Sequence, residues 1–501
     1  MIRVPHPLRV PPPSSGSGTG RYTLLPFRFL HFDEQRTLLV NDLGEFAILD
    51  HEDFRKFVQH RLDTNSDVFA SLRARYFLAE HISPALIRMM AGRLRLKKSF
   101  LTGFTKLHIF VVTLRCDHTC QYCQVSRQTS DRSRFDMSRE TADRSLDLMF
   151  RSPATYVTME FQGGESLLNF QLIKYLILRA EQLNGAYGKQ IDFVIATNLA
   201  MVTQDILQFC KDHDVRISTS LDGPAFIHNA NRPRPGANSY EVTISGIGKA
   251  RETLGVSKVS ALMTTTRLSL EHPKDIIDEY VSQGFRSIFL RPIRPYGFAL
   301  KTRRTTGYDF ERFMDFYKTG LDYIIQLNLA GIDFQESYAK IILTKILTPF
   351  STHYVDLQSP SGLGIGVVVY NYDGSVYASD ESRMLAEMGD YRFRLGSVGD
   401  SYEAIFGGET LRSTLAASCV ETLPGCSECA FQAFCGTDPV YHHAVQGDLF
   451  GHRPTSDFHK KNFGIIKFLF QRLLDDPDAK RVFLAWVMDK SLSEIKPEAL
   501  I

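Results

Sequence analysis

The sequence predicts an α/β fold in which a partial (βα)6 barrel follows a small α+β module and precedes a cysteine-rich domain. Three observations support this prediction. From residue 107 onward, six apolar segments alternate with amphipathic ones. Ahead of them, three short strand patterns are followed by helical ones. After residue 330 the alternation stops, and a hairpin signal precedes a cluster of four cysteines.

The composition is that of an ordinary globular protein. The 501 residues are 44% hydrophobic and 23% charged, which excludes collagen, coiled coil and long disorder as the main class. Lysine and arginine total 58 and aspartate and glutamate 56, so the net charge of +2 gives no basis for general nucleic-acid binding. No apolar run reaches the ~18 residues of a membrane span, and the N-terminus lacks the apolar core of a secretory signal. We therefore predict a cytoplasmic protein that binds neither nucleic acid nor a membrane.

The N-terminal hundred residues divide into two parts. Residues 1–20 are rich in Pro, Ser and Gly, so we expect them to be disordered. Residues 21–100 predict a small α+β module, because three strand patterns are followed by a helix that Asp50 would cap. The strand patterns cover residues 27–32, 38–40 and 46–49. Such a module could hold a partner or pack against the barrel.

Residues 101–330 predict the barrel. The apolar segments lie at residues 107–114, 156–161, 191–197, 215–221, 258–263 and 287–291. The amphipathic segments lie at residues 140–150, 168–183, 205–212, 240–254, 274–283 and 310–327. Six successive β-then-α units imply a parallel sheet covered by helices, and six are too few to close an eight-stranded barrel. Functional residues should then lie in the loops that follow the strands.

Residues 331–501 predict an accessory domain. Strand patterns at residues 367–372 and 375–378 flank Asp373-Gly374, which is a strong hairpin signal. Two helices are expected at residues 458–474 and 480–488. Between the hairpin and these helices lies the second cysteine group, followed by residues 441–443 (Tyr-His-His), which we predict to be a polar loop.

The eight cysteines favour metal or cluster ligation over disulfides. A chain of this length buries a core large enough to be stable without disulfide cross-links. Seven of the cysteines are also tightly clustered in two groups. The first group is Cys116, Cys120 and Cys123, and the second is Cys419, Cys426, Cys429 and Cys435. The eighth, Cys210, lies on the apolar face of a predicted helix, so we expect a buried thiol.

The first group has the spacing C-x3-C-x2-C directly after the first barrel strand. Three thiolates on one short loop can hold three irons of a cubane, which leaves the fourth iron open for a small ligand. The alternative is a zinc loop with His118 as the fourth ligand.

Polar residues follow the later strands in the same way. Glycines there would let backbone approach a ligand, Glu165 could accept hydrogen bonds from an ammonium group, and Arg291 could pair with a carboxylate or with a surface acid. These candidates for ligand binding are Gly163, Gly164, Glu165, Thr197, Asn198, Ser218, Ser220 and Arg291.

The second cysteine group has the spacing C-x6-C-x2-C-x5-C. Four thiolates in one loop can saturate a second iron–sulfur cluster, and they equally suit structural zinc. The spacing alone does not decide between these metals.

The first cysteine group, with Tyr122 before its last cysteine, resembles the signature of the radical SAM superfamily. The resemblance covers roughly residues 107–330, and Gly163-Gly164-Glu165 resembles the family's GGE motif. It implies that the open iron of a [4Fe–4S] cluster binds S-adenosylmethionine, whose reductive cleavage gives a 5′-deoxyadenosyl radical. It also implies that Tyr122 and the polar residues after the strands contact the cofactor, and it favours iron–sulfur for the second cysteine group.

The second cysteine group resembles the SPASM and twitch domains of peptide-modifying radical SAM enzymes, which usually hold two auxiliary clusters. Three family ligand positions, all of one cluster, carry other residues here, namely Ser361, Ser379 and Pro439. The resemblance therefore implies one retained auxiliary cluster on Cys426, Cys429 and Cys435, with Cys419 or His459 as the fourth ligand. Asp380 matches an acid that acts as general base in sulfatase-type maturases.

Longer stretches, such as FVVTLRCDHTCQYCQVSR, SLDGP and NANRPRP, resemble the His-Xaa-Ser-system radical SAM maturases over about residues 22–475. This resemblance implies a precursor peptide or protein with His-Xaa-Ser repeats, a second radical SAM maturase in the same system and an external electron donor. Residues 21–100 resemble the PqqD-like peptide-recognition element. The alternatives are a radical SAM enzyme acting on a small molecule or RNA, and a non-catalytic zinc scaffold.

Overall fold

The computed structural model describes residues 22–495, so the prediction for residues 1–20 lies outside it. The described chain forms two compact units: one runs to Arg95 and includes Glu428–Ala433, and the other contains Leu96–Ser427 and the chain from Phe434. Of the helices in residues 22–495, none combines the length and the hydrophobicity of a membrane span.

The first unit is built around a three-stranded antiparallel sheet of order β2-β3-β4, with the three strands that the sequence predicts. Its core includes Leu39, Phe57 and Phe69, all almost fully buried. Asp50 caps the first helix, as predicted, by accepting a hydrogen bond from Asp53 N–H at 2.7 Å. The elements are β1 (Thr23–Leu24), β2 (Phe27–His31), β3 (Arg36–Asn41), β4 (Phe46–Asp50), α1 (His51–Val58), α2 (Asp67–Ala74), β5 (Leu78–Ala79) and α3 (Pro84–Lys97).

The barrel region alternates strands and helices as the sequence predicts. Its elements are β6 (Leu107–Thr113), α4 (Arg132–Phe135), α5 (Arg139–Arg151), β7 (Tyr156–Gly163), α6 (Phe170–Tyr187), β8 (Gln190–Ala196), α7 (Gln204–Asp212), β9 (Arg216–Ser220), α8 (Ala225–Asn231), α9 (Ser239–Leu254), β10 (Val259–Leu262), α10 (Pro273–Ser282), β11 (Ser287–Ile288), α11 (Phe298–Lys301), α12 (Arg303–Thr306) and α13 (Phe310–Leu329). Strands β6 to β10 are parallel neighbours in one sheet.

The remaining elements follow the barrel in the chain. They are β12 (Gln335–Glu336), α14 (Ser337–Leu347), β13 (Val367–Tyr370), β14 (Ser375–Tyr377), α15 (Asp380–Ala386), β15 (Arg394–Ser397), α16 (Tyr402–Phe406), α17 (Glu409–Ala416), α18 (Pro439–Gln446), α19 (Asp457–Asp475) and α20 (Pro477–Met488). The predicted hairpin is present as β13 and β14, but it extends the barrel sheet, because β13 pairs in parallel with β6. The sheet order is β10-β9-β8-β7-β6-β13-β14-β15.

The strands separate apolar from polar side chains. On β7, Val157, Met159 and Phe161 are fully buried, whereas Glu160 and Gln162 are half-buried and line a cleft. This alternation is the period of two that a strand imposes when helices cover one face only. The covered face forms the core, and the other face is available to a ligand.

The sixth strand differs from the prediction. β11 has only two residues and pairs with β12, while Leu290 N–H donates to the Glu336 carboxylate at 3.1 Å. The segment meets the rest of the barrel through Thr265 N–H, which donates to Arg291 O at 2.8 Å. β11 ends at Ile288, and an isolated parallel bridge pairs Pro292 with Thr265. The parallel sheet of the barrel therefore has five strands from the predicted units.

Two further local predictions can be compared with the structure. Cys210 is fully buried on α7, as expected. The polar loop predicted at residues 441–443 is wrong, because these residues lie on α18, which Asp438 caps and Pro439 begins. Proline is favoured in the first turn of a helix, where its missing N–H costs no hydrogen bond. His442 is buried there and its ring contacts Ser456 Oγ at 2.9 Å.

Glu336 offers a test of this arrangement. Its buried carboxylate accepts hydrogen bonds from Leu290 N–H at 3.1 Å and Tyr317 O–H at 2.7 Å, and it caps α14. We expect Glu336→Ala to lower the free energy of unfolding by about 3 kcal/mol, because it leaves buried donors without acceptors. Thermal unfolding followed by circular dichroism measures this. Glu252→Ala, at an exposed position on α9, is the control and should change little; equal midpoints for the two variants would contradict the assignment.

Candidate functional site

An open cleft lies at the carboxyl ends of the barrel strands. This is where ligands bind in parallel α/β sheets. The cleft brings together most of the residues selected from the sequence, namely Cys116, Cys120, Tyr122, Cys123, Gly163, Gly164, Thr197, Asn198, Ser218, Ser220, Arg291 and Asp380. Glu165 does not line it.

The three cysteines lie on a loop held from both sides by backbone hydrogen bonds. Thr119 N–H donates to Pro233 O at 2.7 Å and Phe298 N–H donates to Cys123 O at 2.7 Å. Within the loop, His118 N–H donates to Cys116 Sγ at 3.4 Å. The thiols line the cleft and form no disulfide. Burial raises the pKa of Cys120 to about 12.

Arg115 anchors the start of this loop. Its guanidinium makes a bidentate ion pair with Asp136 at 2.7 and 2.8 Å and also donates to Leu168 O at 2.9 Å. Both side chains are mostly buried, and a bidentate pair fixes orientation as well as distance. The loop therefore begins from a rigid point.

Tyr122 is tied to the end of the fourth strand. Its hydroxyl donates to Asp222 Oδ2 at 2.6 Å, and Arg232 Nε donates to the same oxygen at 3.0 Å. The Arg232 guanidinium lies 5.3 Å from the centre of the Tyr122 ring, and burial raises the pKa of Tyr122 well above its usual value. Neither Asp222 nor Arg232 was predicted as a site residue, although they lie in the stretches SLDGP and NANRPRP.

Gly163 and Gly164, predicted to let a ligand approach the backbone, also allow two segments of backbone to pack closely. A Cβ at Gly163 would lie 2.0 Å from Thr113 O, and one at Gly164 would lie 2.3 Å from Arg115 O. The two glycines thus allow the end of β7 to contact the end of β6 and the first residue of the cysteine loop. Backbone contact, in addition to any approach of a ligand, requires glycine here.

Glu165 is turned away from the cleft. Its buried carboxylate accepts hydrogen bonds from Thr197 O–H at 2.6 Å, Asn198 N–H at 2.8 Å and Leu167 N–H at 3.0 Å. Burial raises its pKa to about 7. These bonds join the end of β7 to the end of β8.

The zinc alternative would require His118 as a ligand, but both of its ring nitrogens are engaged. Nδ1 contacts Asp117 Oδ1 at 3.0 Å and Nε2 contacts Ser239 Oγ at 2.9 Å. Throughout residues 22–495, no three His, Cys, Asp or Glu side chains converge as ligands of a single metal ion. A cubane places its cysteine ligands on separate iron atoms, so it needs no such convergence.

The lining of the cleft also carries charged groups. Glu160 accepts a hydrogen bond from Gln162 Nε2 at 2.7 Å, and burial raises the pKa of its carboxyl group. Asp380 pairs with the fully buried Arg383 at 2.8 Å, and Arg383 also donates to Val125 O at 3.0 Å. Residues after the barrel thus contribute to the cleft. The sequence missed Glu160, which the alternation on β7 could have revealed.

The cleft also contains polar atoms suited to a ligand. Gln124 Nε2 and Thr219 Oγ1 are buried, line the cleft and have no hydrogen-bond partner among residues 22–495. Ser218 and Ser220 lie on β9 in register with Ser260 and Leu262 of β10. Together with three thiols, these donors and acceptors fit an iron–sulfur cluster with a polar small molecule beside it.

The second cysteine group lies after α17. Cys419, Cys426 and Cys435 belong to the larger compact unit, and Cys429 belongs to the segment Glu428–Ala433 of the other unit. Lys345 Nζ donates to Cys435 O at 3.4 Å.

The other positions considered as auxiliary-cluster ligands have distinct surroundings. Ser379 caps α15 through a capping box, and Pro439 begins α18. His459 is half-buried on α19, with its ring centre 5.7 Å from that of Phe463.

Residues 110–282 match the family model of the Radical SAM superfamily. An uncharacterised protein of Methanocaldococcus jannaschii is 26% identical over 192 residues, which are 37% of this chain and 62% of that protein. A serine-type anaerobic sulfatase-maturating enzyme of Bacteroides thetaiotaomicron is 25% identical over 183 residues, which are 36% of this chain and 44% of that enzyme. The chain thus spans between 44% and 62% of the length of these relatives.

Two solved structures share the fold over most of the chain. Native anSMEcpe with bound AdoMet superposes with a TM-score of 0.63 at 17% identity, covering 76% of this chain and 100% of that one. Streptococcus suis SuiB bound to precursor peptide SuiA superposes with a TM-score of 0.50 at 14% identity, covering 87% of this chain and 99% of that one. The predicted α/β fold with its partial barrel is confirmed.

Gly164 and Gly185 form a matched pair for testing the loop geometry. We expect Gly164→Ala to displace the start of the cysteine loop, because its Cβ would lie 2.3 Å from Arg115 O. Gly185 lies on α6 with nothing within 4 Å of an added Cβ, so Gly185→Ala should stabilise slightly. The iron content after anaerobic reconstitution should fall for Gly164→Ala only. Thermal unfolding of both variants is measured in parallel. Full iron loading of Gly164→Ala would refute this role.

Proposed function

We propose that this chain is a radical SAM maturase: it binds a [4Fe–4S] cluster on Cys116, Cys120 and Cys123, binds S-adenosylmethionine beside it, and modifies side chains of a peptide. The observation that carries the proposal is a single cleft, lined by all three thiols and by polar groups from three successive strand ends. This combination matches the chemistry of the radical SAM domain, in which three ligands leave one iron open.

The cofactor would lie along the strand ends. Thr197, Asn198, Ser218 and Ser220 offer hydroxyl and amide groups on one side of the cleft, and Arg291 offers a guanidinium for a carboxylate. Glu165 supports this side indirectly, because it fixes Thr197 and the backbone of Asn198. Tyr122 contributes its ring to the cleft while Asp222 holds its hydroxyl.

When bound, reduced cluster and S-adenosylmethionine supply a 5′-deoxyadenosyl radical that abstracts hydrogen. The residues of this chain would position the substrate and manage its protons. Glu160 and Asp380 are the carboxylates of the cleft wall, and Asp380 is held by Arg383 at 2.8 Å. Asp380 is thus our candidate general base, and Glu160 can accept a hydrogen bond from a substrate group.

A peptide substrate is supported by the neighbours. One is a sulfatase-maturating enzyme, and another was solved with a precursor peptide. The quoted sequence stretches favour a peptide or protein with His-Xaa-Ser repeats, acted on together with a second radical SAM maturase and an external electron donor. In the N-terminal unit, β2 has one sheet neighbour among the described residues, so its other edge can accept an extended peptide by strand addition.

One auxiliary cluster completes the proposal. Cys419, Cys426, Cys429 and Cys435 supply four thiols, as many as a [4Fe–4S] cluster requires, and His459 is the alternative to Cys419. Such a cluster would pass electrons or anchor substrate.

Removal of the cluster ligands tests the core of the proposal. Cys116→Ala, Cys120→Ala and Cys123→Ala should each abolish reductive formation of 5′-deoxyadenosine, because each removes one of three iron ligands. Cys210→Ala changes a buried thiol on α7 and is the matched control, which should keep cleavage. Chromatography of anaerobic reactions with dithionite measures the product. Bound zinc without cleavage in the unmodified protein would instead support the zinc scaffold.

Asp380→Asn tests the role in substrate chemistry. We expect cleavage of S-adenosylmethionine to continue while modification of the peptide falls by about two orders of magnitude, which is the usual contribution of a general base. Mass spectrometry of a His-Xaa-Ser peptide after co-expression measures this, and a product lighter by two hydrogen atoms would indicate a cross-link or oxidation. The exposed control is Asp400→Asn. Undiminished modification by Asp380→Asn would remove Asp380 from the mechanism.

A further inference from the structure

A short helical segment covers the outer side of the cysteine loop. Phe298 N–H donates to Cys123 O at 2.7 Å, and Thr302 O–H donates to Gln121 O at 2.9 Å. A Cβ at Gly297 would lie 2.6 Å from Gln124 O, so the contact is close along the whole segment. The segment comprises residues 296–307 and contains α11 and α12.

This segment is strongly basic. Lys301, Arg303 and Arg304 are exposed on it, and residues 296–307 contain no Asp or Glu. The Arg127 guanidinium and the Lys301 ammonium lie 5.3 and 5.2 Å from the centre of the Phe298 ring. We call Lys301, Arg303 and Arg304 the basic rim. Its local charge contrasts with the whole chain, whose net charge is only +2.

The charges of the rim are available to a partner. No member of the basic rim forms an ion pair within residues 22–495, whereas Arg232 on the other side of the loop is paired with Asp222 at 3.0 Å. Unneutralised, exposed cations of one sign raise the local potential and attract an oppositely charged partner.

The basic rim also lies next to the cysteine loop. Thr119 and Gln121 of the cysteine loop are exposed, while the three thiols line the cleft. Phe298 and Thr302 of the same segment contact the loop, and Lys301, Arg303 and Arg304 do not line the cleft. A partner seated on the basic rim would therefore lie next to the cysteine loop without occupying the cleft.

We propose that the basic rim is the docking surface for a small acidic electron-carrier protein that reduces the cluster held by the cysteine loop. This inference rests on the proposed function. One electron would leave the carrier, which is oxidised, and would reduce the cluster held by the cysteine loop; no atom is transferred. The reduced cluster would supply that electron for cleavage of the sulfonium carbon–sulfur bond. Electron-transfer encounters use small, transient interfaces guided by charge, which suits a three-residue patch.

Charge reversal with two different reductants tests the proposal. The Arg303→Glu/Arg304→Glu variant and the unmodified chain are reconstituted anaerobically and assayed for 5′-deoxyadenosine. One arm uses an acidic bacterial flavodoxin kept reduced by NADPH and its reductase, and the other uses dithionite. The control is Lys211→Glu/Lys249→Glu, with the same change of charge at exposed positions toward the ends of α7 and α9, which is the end of the barrel away from the cleft.

We expect the flavodoxin-driven rate of the rim variant to fall about tenfold or more at low salt, with the dithionite-driven rate unchanged. The unmodified chain should lose its advantage as ionic strength rises, since screening removes the attraction. The Lys211→Glu/Lys249→Glu control should behave like the unmodified chain. Equal flavodoxin-driven rates in the rim variant and the unmodified chain would overturn the proposal.

Further outcomes are decisive as well. If both arms fall together, the rim serves the loop structure and the docking proposal is wrong. If both arms keep cleavage but the KM for an acidic peptide rises, the rim binds substrate instead. Calorimetric binding of oxidised flavodoxin, at low and high salt, decides docking even if no cleavage occurs. Absence of cleavage with dithionite counts against the proposed function alone.

Discussion

The close backbone contact between the ends of β6 and β7 is the constraint on which the site depends. Gly164 N–H donates to Thr113 O at 2.9 Å and Glu165 N–H donates to Arg115 O at 2.7 Å, so the cysteine loop begins directly against the second strand. Only glycine permits this separation, because a Cβ would overlap the carbonyl oxygens. From there the Glu165 carboxylate reaches Asn198 N–H, and Asn198 Nδ2 donates back to Asp117 Oδ1 at 2.8 Å. This series of hydrogen bonds therefore begins and ends on the cysteine loop.

This hydrogen-bond network explains why Glu165 is buried although it does not line the cleft. A buried carboxylate is tolerated here because three hydrogen-bond donors satisfy its oxygens. Its role is to hold two strand ends and the loop at fixed distances. The proposed site, which would keep three thiols around one cluster, depends on this rigidity.

How much the sequence could predict depends on the range of each interaction. The strands and helices of the barrel follow from local periodicity, and the cysteine loop follows from spacing. The sixth strand was not predictable, because Leu290 N–H is taken by Glu336 from a later segment. The pairing of β13 with β6 joins residues that are far apart in sequence, so no local pattern signals it. The side-chain direction of Glu165 likewise depends on tertiary partners.

The placement of Asp380 shows how the later residues complete the cleft. Arg294, at the end of the barrel, is buried with the carboxylates of Asp356, Glu381 and Asp438, at 3.1 Å from Glu381 and 3.2 Å from Asp438. A buried cation among carboxylates holds its partners firmly, since removing one charge leaves the others unpaired at high cost. Because Glu381 adjoins Asp380 on α15, this ion cluster fixes the start of the helix over the cleft. The barrel alone would supply the cysteine loop and Glu160 but not Asp380, so the complete lining of the cleft depends on both parts of the chain.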